Sequence, residues 1–399
     1  MIVSNTDTLK RANRARVMKE IFDSGPISRK QISANLSLTP ATVTNIANFL
    51  LKNRLIEEVG VQKEKRSGPR AILLKVSQNQ YYICAVHIGR NVLKLGIVTL
   101  SGEICSYHFS SIQNHSPQDI EEMICEYITQ VRQEQALTVL GVGICVSGNV
   151  SSEEKIISAL YPGLNGYPLK KNLEQHLEIP VVLDGLLPAM AEESILFSRN
   201  ELPKSSIIIY DGAFLGLSCT YGSLVLRGSN DLAGAMYQCQ MADGISLEDE
   251  ICIPQIIKKN FLHQFANSQI NTDDVDIEQL SAYWQKIMSN YTSGDSLAKV
   301  VVDRRNEAFA KLLARVTVLF DPESIFIKSV YSTPGNESSD LSHILAHYHQ
   351  YFWHLSRPLP NVSFEVLHRE FSIRSSAAII LRDILSMGSH LDDFWSDYV

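Results

Sequence analysis

Apolar residues recur at Leu9, Ala12, Val17 and Ile21, while Lys10, Arg11, Arg14, Arg16 and Lys19 fill the intervening positions. That period predicts a helix over residues 8–22, and Gly25-Pro26 stops it. Ser28 is a suitable N-cap for a short second helix over 29–34, with Ile32 turned inward. Residues 35–38 read as a turn. Thr39 and Pro40 then open a third helix to about residue 53, with an apolar stripe of Val43, Ile46, Ala47 and Leu50. Thr42, Thr44, Asn45 and Asn48 fall on its exposed faces. Two strand-like runs, 55–59 and 71–76, bracket a basic Gly/Pro-containing tip over 63–70.

From residue 77 the pattern changes. Strands are predicted at 81–89, 92–100, 104–107, 139–146, 181–183, 206–210, 215–226 and 325–327. Helices are predicted at 117–133, 169–177, 189–196, 251–265, 276–291, 298–320, 339–352 and 375–385. A hairpin of strands, then helix and strand in alternation, followed by a similar set, indicates an α/β body with mixed sheets and an internal duplication. Ligands of such bodies bind in clefts between lobes.

Charge separates the two parts. Residues 1–76 carry 14 Lys/Arg against 6 Asp/Glu, and the remainder carries 22 against 37, within a formal net charge of −7. A small basic module on a large acidic body suits a nucleic-acid end joined to another function. The small polar residues early in the third helix are the kind that reach base edges in a major groove, and Asn pairs bidentately with adenine. Thr39, Thr42, Thr44, Asn45 and Asn48 are therefore candidate DNA contacts. Arg29 joins them from the second helix, and Arg66, Gly68 and Arg70 from the wing-like tip.

The seven cysteines stand singly, which fits reduced thiols better than a disulfide frame or a zinc knuckle. No apolar run reaches membrane-span length, and the N-terminus lacks a signal-peptide core. The expected location is the cytoplasm. His343 and His347 are spaced for a metal, but no paired carboxylate lies nearby in sequence, so a solvated helix face is expected.

The three helices, two strands and basic tip resemble the winged helix-turn-helix of ROK-family transcriptional regulators. The body resembles the ROK sugar-kinase domain through His87-Ile88-Gly89-Arg90, Gly141 to Gly148, Pro180 to Asp184, Leu226 to Gly234 and Phe320 to Glu323. The resemblance implies a winged helix-turn-helix over 1–76. It implies a two-lobed actin/hexokinase-like ATPase-fold body over 77–399 for effector binding and dimerisation. It also implies a homodimer or homotetramer on an operator in double-stranded DNA, repression of carbohydrate genes, and a sugar or sugar-derived effector.

The departures from the family remove its chemistry. His87 and Arg90 stand in the Asp-x-Gly-Gly-Thr phosphate turn. Phe214 stands in the second phosphate loop, and Asp211 just before it would repel an anion. Gly185 occupies the position of the general base and accepts no proton; Asp184, one residue off, is expected to point the other way. Cys239 is the one thiol left of the zinc loop, too few for a tetrahedral site. The expectation is no catalysis, no cofactor and no metal. Asn165, Asp184, Gln238 and Glu248 remain as candidate effector contacts. Glu248 reads equally as an acid favoured by a helix N-terminus. A protein partner, or no ligand at all, fits these residues as well.

Overall fold

The computed structural model describes residues 5–61, 71–78, 80–134, 137–198, 202–236, 246–261, 277–331, 337–352 and 358–386. The wing tip, with Arg66, Gly68 and Arg70, lies outside them, as does Gln238. The chain forms two compact units, one running to Phe197 and resuming at Ser372, the other spanning Ser198–Phe371.

The first unit begins with α1 (Asn5–Ser24), β1 (Ile27–Ser28), α2 (Arg29–Leu36), α3 (Pro40–Lys52), β2 (Ile56–Val61) and β3 (Ile72–Val76). Ser28 and Gln31 form a reciprocal capping box at α2, which satisfies two of the backbone N–H groups a helix start leaves orphaned. Val17, Ile21, Ile32, Val43, Ala47, Leu50 and Leu74 are fully enclosed between the helices and the sheet β1-β3-β2. The two-residue strand β1 is too short to announce itself in the sequence.

Next come β4 (Tyr81–Ile88), β5 (Val92–Thr99), β6 (Ile104–Ser111), α4 (Pro117–Glu134), β7 (Thr138–Val146), β8 (Gly148–Val150), β9 (Ile156–Ala159), α5 (Leu169–Leu177), β10 (Val181–Gly185) and α6 (Leu186–Leu196). The sheet order is β10-β7-β4-β5-β6, with β4, β7 and β10 parallel and the meander β4-β5-β6 antiparallel. One face buries Cys84, Val86, Ile88, Val142, Ile144 and Leu183 in a common core with Ile120, Ile124 and Ile128 of α4 and Leu169 and Leu173 of α5. That accounts for the apolar alternation along these strands.

The second unit holds β11 (Ser205–Asp211), β12 (Leu215–Tyr221), β13 (Leu224–Leu226), α7 (Leu247–Ile251), α8 (Ile253–Asn260), α9 (Ile277–Ser293), α10 (Ser296–Phe320), β14 (Ser324–Ser329), α11 (Glu337–Tyr348) and β15 (Asn361–Val366). Its sheet, β13-β12-β11-β14-β15, repeats the scheme of the first: an antiparallel meander extended by two parallel strands. The single strand expected over 215–226 is a hairpin, because Gly222 takes a positive φ of 55° and turns the chain. The helix expected to start at 251 is broken at Cys252, which is extended. Pro254 in the first turn of α8 explains the break, since its ring cannot follow a continuous helix. The helix expected to reach 352 ends at Tyr348 and tightens into a 3-10 turn, His349–Tyr351.

After Phe371 the chain returns to the first unit, whose last described helix, α12 (Phe371–Leu385), runs on to Leu385 and covers the other face of the first sheet. A lane of glycines admits it. A methyl group at Gly143 would run into the Ser376 carbonyl oxygen, and one at Gly96 into the Ile373 side chain. The Ser376 hydroxyl sits 2.7 Å from the Val86 carbonyl oxygen, so helix and strand are in backbone-level contact. Gly143→Ala is expected to cost about 2–3 kcal/mol through overpacking. Urea denaturation measures this, and an unchanged midpoint would contradict such close packing.

Candidate nucleic-acid interface and ligand site

The third helix is built to present a few side chains and to spend others on itself. Thr39 caps it by accepting from the Thr42 N–H at 3.2 Å, and the two hydroxyls are 2.8 Å apart. The Thr44 hydroxyl donates back to the Pro40 carbonyl at 2.8 Å. Thr42 is half-buried rather than exposed as expected. The three threonines thus bond locally, as short hydroxyl side chains tend to do, while Asn45 and Asn48 stand exposed one turn apart. Arg29, a candidate DNA contact, is tied to Glu58 by an ion pair of 2.9 Å, a partner its sequence position did not reveal. Behind the helix, the Arg14 guanidinium lies 3.6 Å over the Phe49 ring. Burial lowers the pKa of Arg14, as does neighbouring Arg11. At the far end, the Tyr81 hydroxyl donates to the Asn53 carbonyl at 2.8 Å, so the first strand of the body grips the end of α3.

In the first sheet four polar side chains form one row on the α12 face. The register pairs Asp184 with Cys145, Cys145 with His87, and His87 with Lys94, and all four are buried. Asp184 is therefore a buried group, and its carboxylate accepts from the Gly185 N–H at 2.8 Å. His87 Nε2 is 2.9 Å from the Ser147 hydroxyl, while its Nδ1 is buried without a partner. Burial, and after it the Lys94 charge, depress the imidazole pKa to about 3. The Cys145 thiol lies 2.8 Å from the Ser376 hydroxyl, and burial raises its pKa to about 12. Asn165 is exposed, and its side-chain oxygen accepts from the Ala159 N–H at 2.8 Å. It serves to hold the β9 turn.

In the second unit Glu248 is half-buried in the first turn of α7, which is opened by a capping box of Ser246 and Asp249. Asp211 does not act as the exposed repulsive charge the sequence suggested. It is fully buried, 2.5 Å from the Arg305 guanidinium and 3.0 Å from the Ser329 hydroxyl. Burial dominates and raises its pKa, with Arg305 opposing. Phe214 turns into the core and packs edge-on against Tyr210, with ring centroids 5.1 Å apart. Tyr210 in turn occupies the space beside Gly212. His343 and His347 are half-buried rather than solvated, and His343 meets Tyr291 edge-on at 5.8 Å. Among the described residues no three His, Cys, Asp or Glu side chains gather as a metal site. No described helix is long and apolar enough to cross a membrane.

Residues 83–334 match the model of the ROK family. The chain belongs to the ROK family. Among its relatives, the protein named xylose repressor in Staphylococcus xylosus is 25% identical over 321 residues, covering 79% of this chain and 81% of that one. The DNA-binding transcriptional dual regulator NagC of Escherichia coli is 24% identical over 340 residues, 82% of each chain. A solved structure of a ROK transcriptional regulator aligns with 98% of this chain and 99% of its own at a TM-score of 0.74 and 20% identity. A ROK glucokinase from Streptomyces griseus, solved with glucose and AMPPNP, covers only 74% of this chain, at a TM-score of 0.59 and 19% identity. The fold is that of a ROK regulator, with the two-lobed α/β body of the sugar kinases.

Against that family, the residues that sequence reasoning missed are Lys94 and Arg305. Each had a signal: a lone cation inside an otherwise apolar strand or helix face demands a buried partner. His87, known from its place in the phosphate turn, has a thermodynamic consequence. In the unfolded chain it takes a proton near pH 6.5, but in the folded chain only near pH 3. The unfolded state thus binds the extra proton between those values, and stability falls as pH drops through the window, by up to about 1.4 kcal/mol per pH unit. His87→Asn is expected to flatten the stability profile between about pH 6 and pH 4. Calorimetric melts across that range check it, and identical slopes in both proteins would refute a buried neutral imidazole.

Proposed function

We propose that this chain is a DNA-binding transcriptional repressor of the ROK family. It acts in the cytoplasm as a dimer, and its body senses a sugar or sugar derivative without phosphorylating it. The observation that carries the reading is α3, a capped helix that holds its threonines to itself and leaves Asn45 and Asn48 exposed for base edges. The domain division follows: a DNA-binding module to residue 76 and a kinase-like body beyond. The relatives named for xylose and N-acetylglucosamine support the sugar class, and a thermal-shift comparison of D-xylose with N-acetylglucosamine tests it. Against phosphoryl transfer stand His87, neutral and buried, at the first phosphate turn, Phe214 and Tyr210 filling the second, and Gly185 at the base position.

In vitro selection of duplex DNA by the full chain, followed by gel shift, tests the DNA reading. Asn45→Ala is expected to change the selected sequence. Arg70→Ala is expected to weaken all duplexes alike and lower the salt slope by about one. Failure to enrich any sequence would overturn the assignment.

The dimer reading draws on the outer stripe of α10. Val300, Glu307, Lys311 and Val318 follow one another there, with Val300 67% and Val318 73% exposed. Read backwards, the stripe is the same except that acid and base exchange places. Two copies laid antiparallel would therefore set Val300 against Val318 and Glu307 against Lys311, a self-complementary patch of the kind a two-fold axis requires. Val300→Asp is expected to give monomers in light scattering at micromolar concentration; a dimer that persists would remove α10 from the interface.

A further inference from the structure

The chain passes from the first unit to the second after Phe197 and comes back at Ser372. The side chains beside these two passages are joined. Phe197 closes α6, and the Arg374 guanidinium, one turn into α12, lies 4.5 Å from the centre of its ring. Arg374 also reaches Glu193 of α6 at 3.6 Å, and the Ser375 hydroxyl lies 3.5 Å from the same carboxylate. The ring is seated from below by the β5–β6 turn, where a side chain at Gly102 would collide with it; Gly102 has a φ of 83°, a backbone that itself favours glycine. The ring also meets Phe22, in the last turn of α1, with centroids 6.1 Å apart and planes tilted by 49°.

One aromatic ring thus touches the exit passage, the return passage and the first helix of the DNA-binding module. We propose that Phe197 is a positioning residue that relays the arrangement of the two chain passages to α1, and through α1 to the groove-facing helix. The argument for transmission is mechanical. The ring lies 4.5 Å from a planar cation, meets the Phe22 ring at a tilt of 49°, and packs so closely on the Gly102 turn that no methyl group fits between them. A shift of Arg374 or Glu193 therefore moves the ring, and the ring moves Phe22. From Phe22 the path continues within the helix, because Arg14 of α1 carries Phe49 of α3 on its guanidinium. The C-terminal half of α3 is then held at two points: at Phe49 by Arg14 of α1, and at the carbonyl of its C-cap residue Asn53 by Tyr81 of β4. The device uses no residue of the candidate ligand site, and it would serve whatever ligand, or partner, changes the body.

This relay rests on the proposed DNA-binding role of residues 5–61 for its biological meaning, but its existence is testable without DNA. Amide hydrogen exchange of the full chain would be measured for the wild type, Arg374→Gln, Phe197→Leu and the double variant. Phe197→Leu keeps apolar bulk at the seat and removes the ring face, which limits damage to the fold. Arg374→Gln is expected to raise exchange in the last turns of α1 roughly two- to fivefold in the wild-type background, the scale of a lost exposed cation–π contact. In the Phe197→Leu background the same change is expected to have no further effect on α1. No response of α1 to Arg374→Gln, or an equal response in both backgrounds, would overturn the relay. Affinity for the selected duplex forms a second arm: the four proteins are expected to rank there as they do in α1 exchange. If no duplex can be selected, the DNA reading fails while the exchange result still decides the relay.

Discussion

The packing of α12 on the glycine lane of the first sheet is the constraint on which the rest of this unit depends. Gly143 and Gly96 give up side chains so that a helix can lie at backbone distance from β4, β5 and β7. Burial at such closeness favours partners within the protein for the polar atoms beneath the helix, although His87 Nδ1 is left without one. Ser376 answers the Val86 carbonyl and the Cys145 thiol together. The row Asp184, Cys145, His87 and Lys94 is a consequence of the same closure: these groups are buried where desolvation keeps the thiol protonated and the imidazole neutral.

The same physics explains how a sugar-kinase body loses its reaction while keeping its fold. Phosphate turns need open backbone and a nearby carboxylate. Here the corresponding places are occupied by a buried histidine in one unit and by a tyrosine–phenylalanine pair in the other. Asp211 remains, but as one half of a buried pair with Arg305, which also donates to the Ile251 carbonyl at 3.0 Å. Removing one partner of such a pair strands a charge in the interior at a cost of about 3–5 kcal/mol. Arg305 therefore ties α10 to the end of β11 through Asp211 and to the end of α7 through the Ile251 carbonyl.

Much of this was legible from residue type and spacing. The caps Ser28, Thr39 and Ser116 mark helix starts, and α5 begins and ends where its apolar period says it should. Elements of two to four residues were not legible, because β1, β8 and β9 are too short to show a period; β1 exists through pairing with distant β3, and β8 and β9 through pairing with each other. β15 was missed for another reason: it is a half-exposed edge strand, and its alternation is diluted by polar residues. Among the site residues, the exposure of Asn45 and Asn48 follows from helix geometry. The burial of Asp184 and Asp211 does not, since it depends on which face a remote helix covers. The ion pair of Arg29 was illegible for the same reason: its partner Glu58 comes near it only in the folded module.

The first unit is discontinuous, and that has an outcome for the newborn chain. Its sheet can form once β10 has left the ribosome, but the glycine lane stays uncovered until α12 is made. Between those moments the entire second unit, residues 198–371, must be synthesised, which takes roughly ten to thirty-five seconds at ordinary elongation rates. During that interval the face that α12 will cover, with its glycines and the row Asp184, Cys145, His87 and Lys94, is open to water, while α1 to α3 are already made. A chain cut short before Ser372 would lack α12 and keep the face it covers exposed, which makes it a substrate for chaperones and proteases.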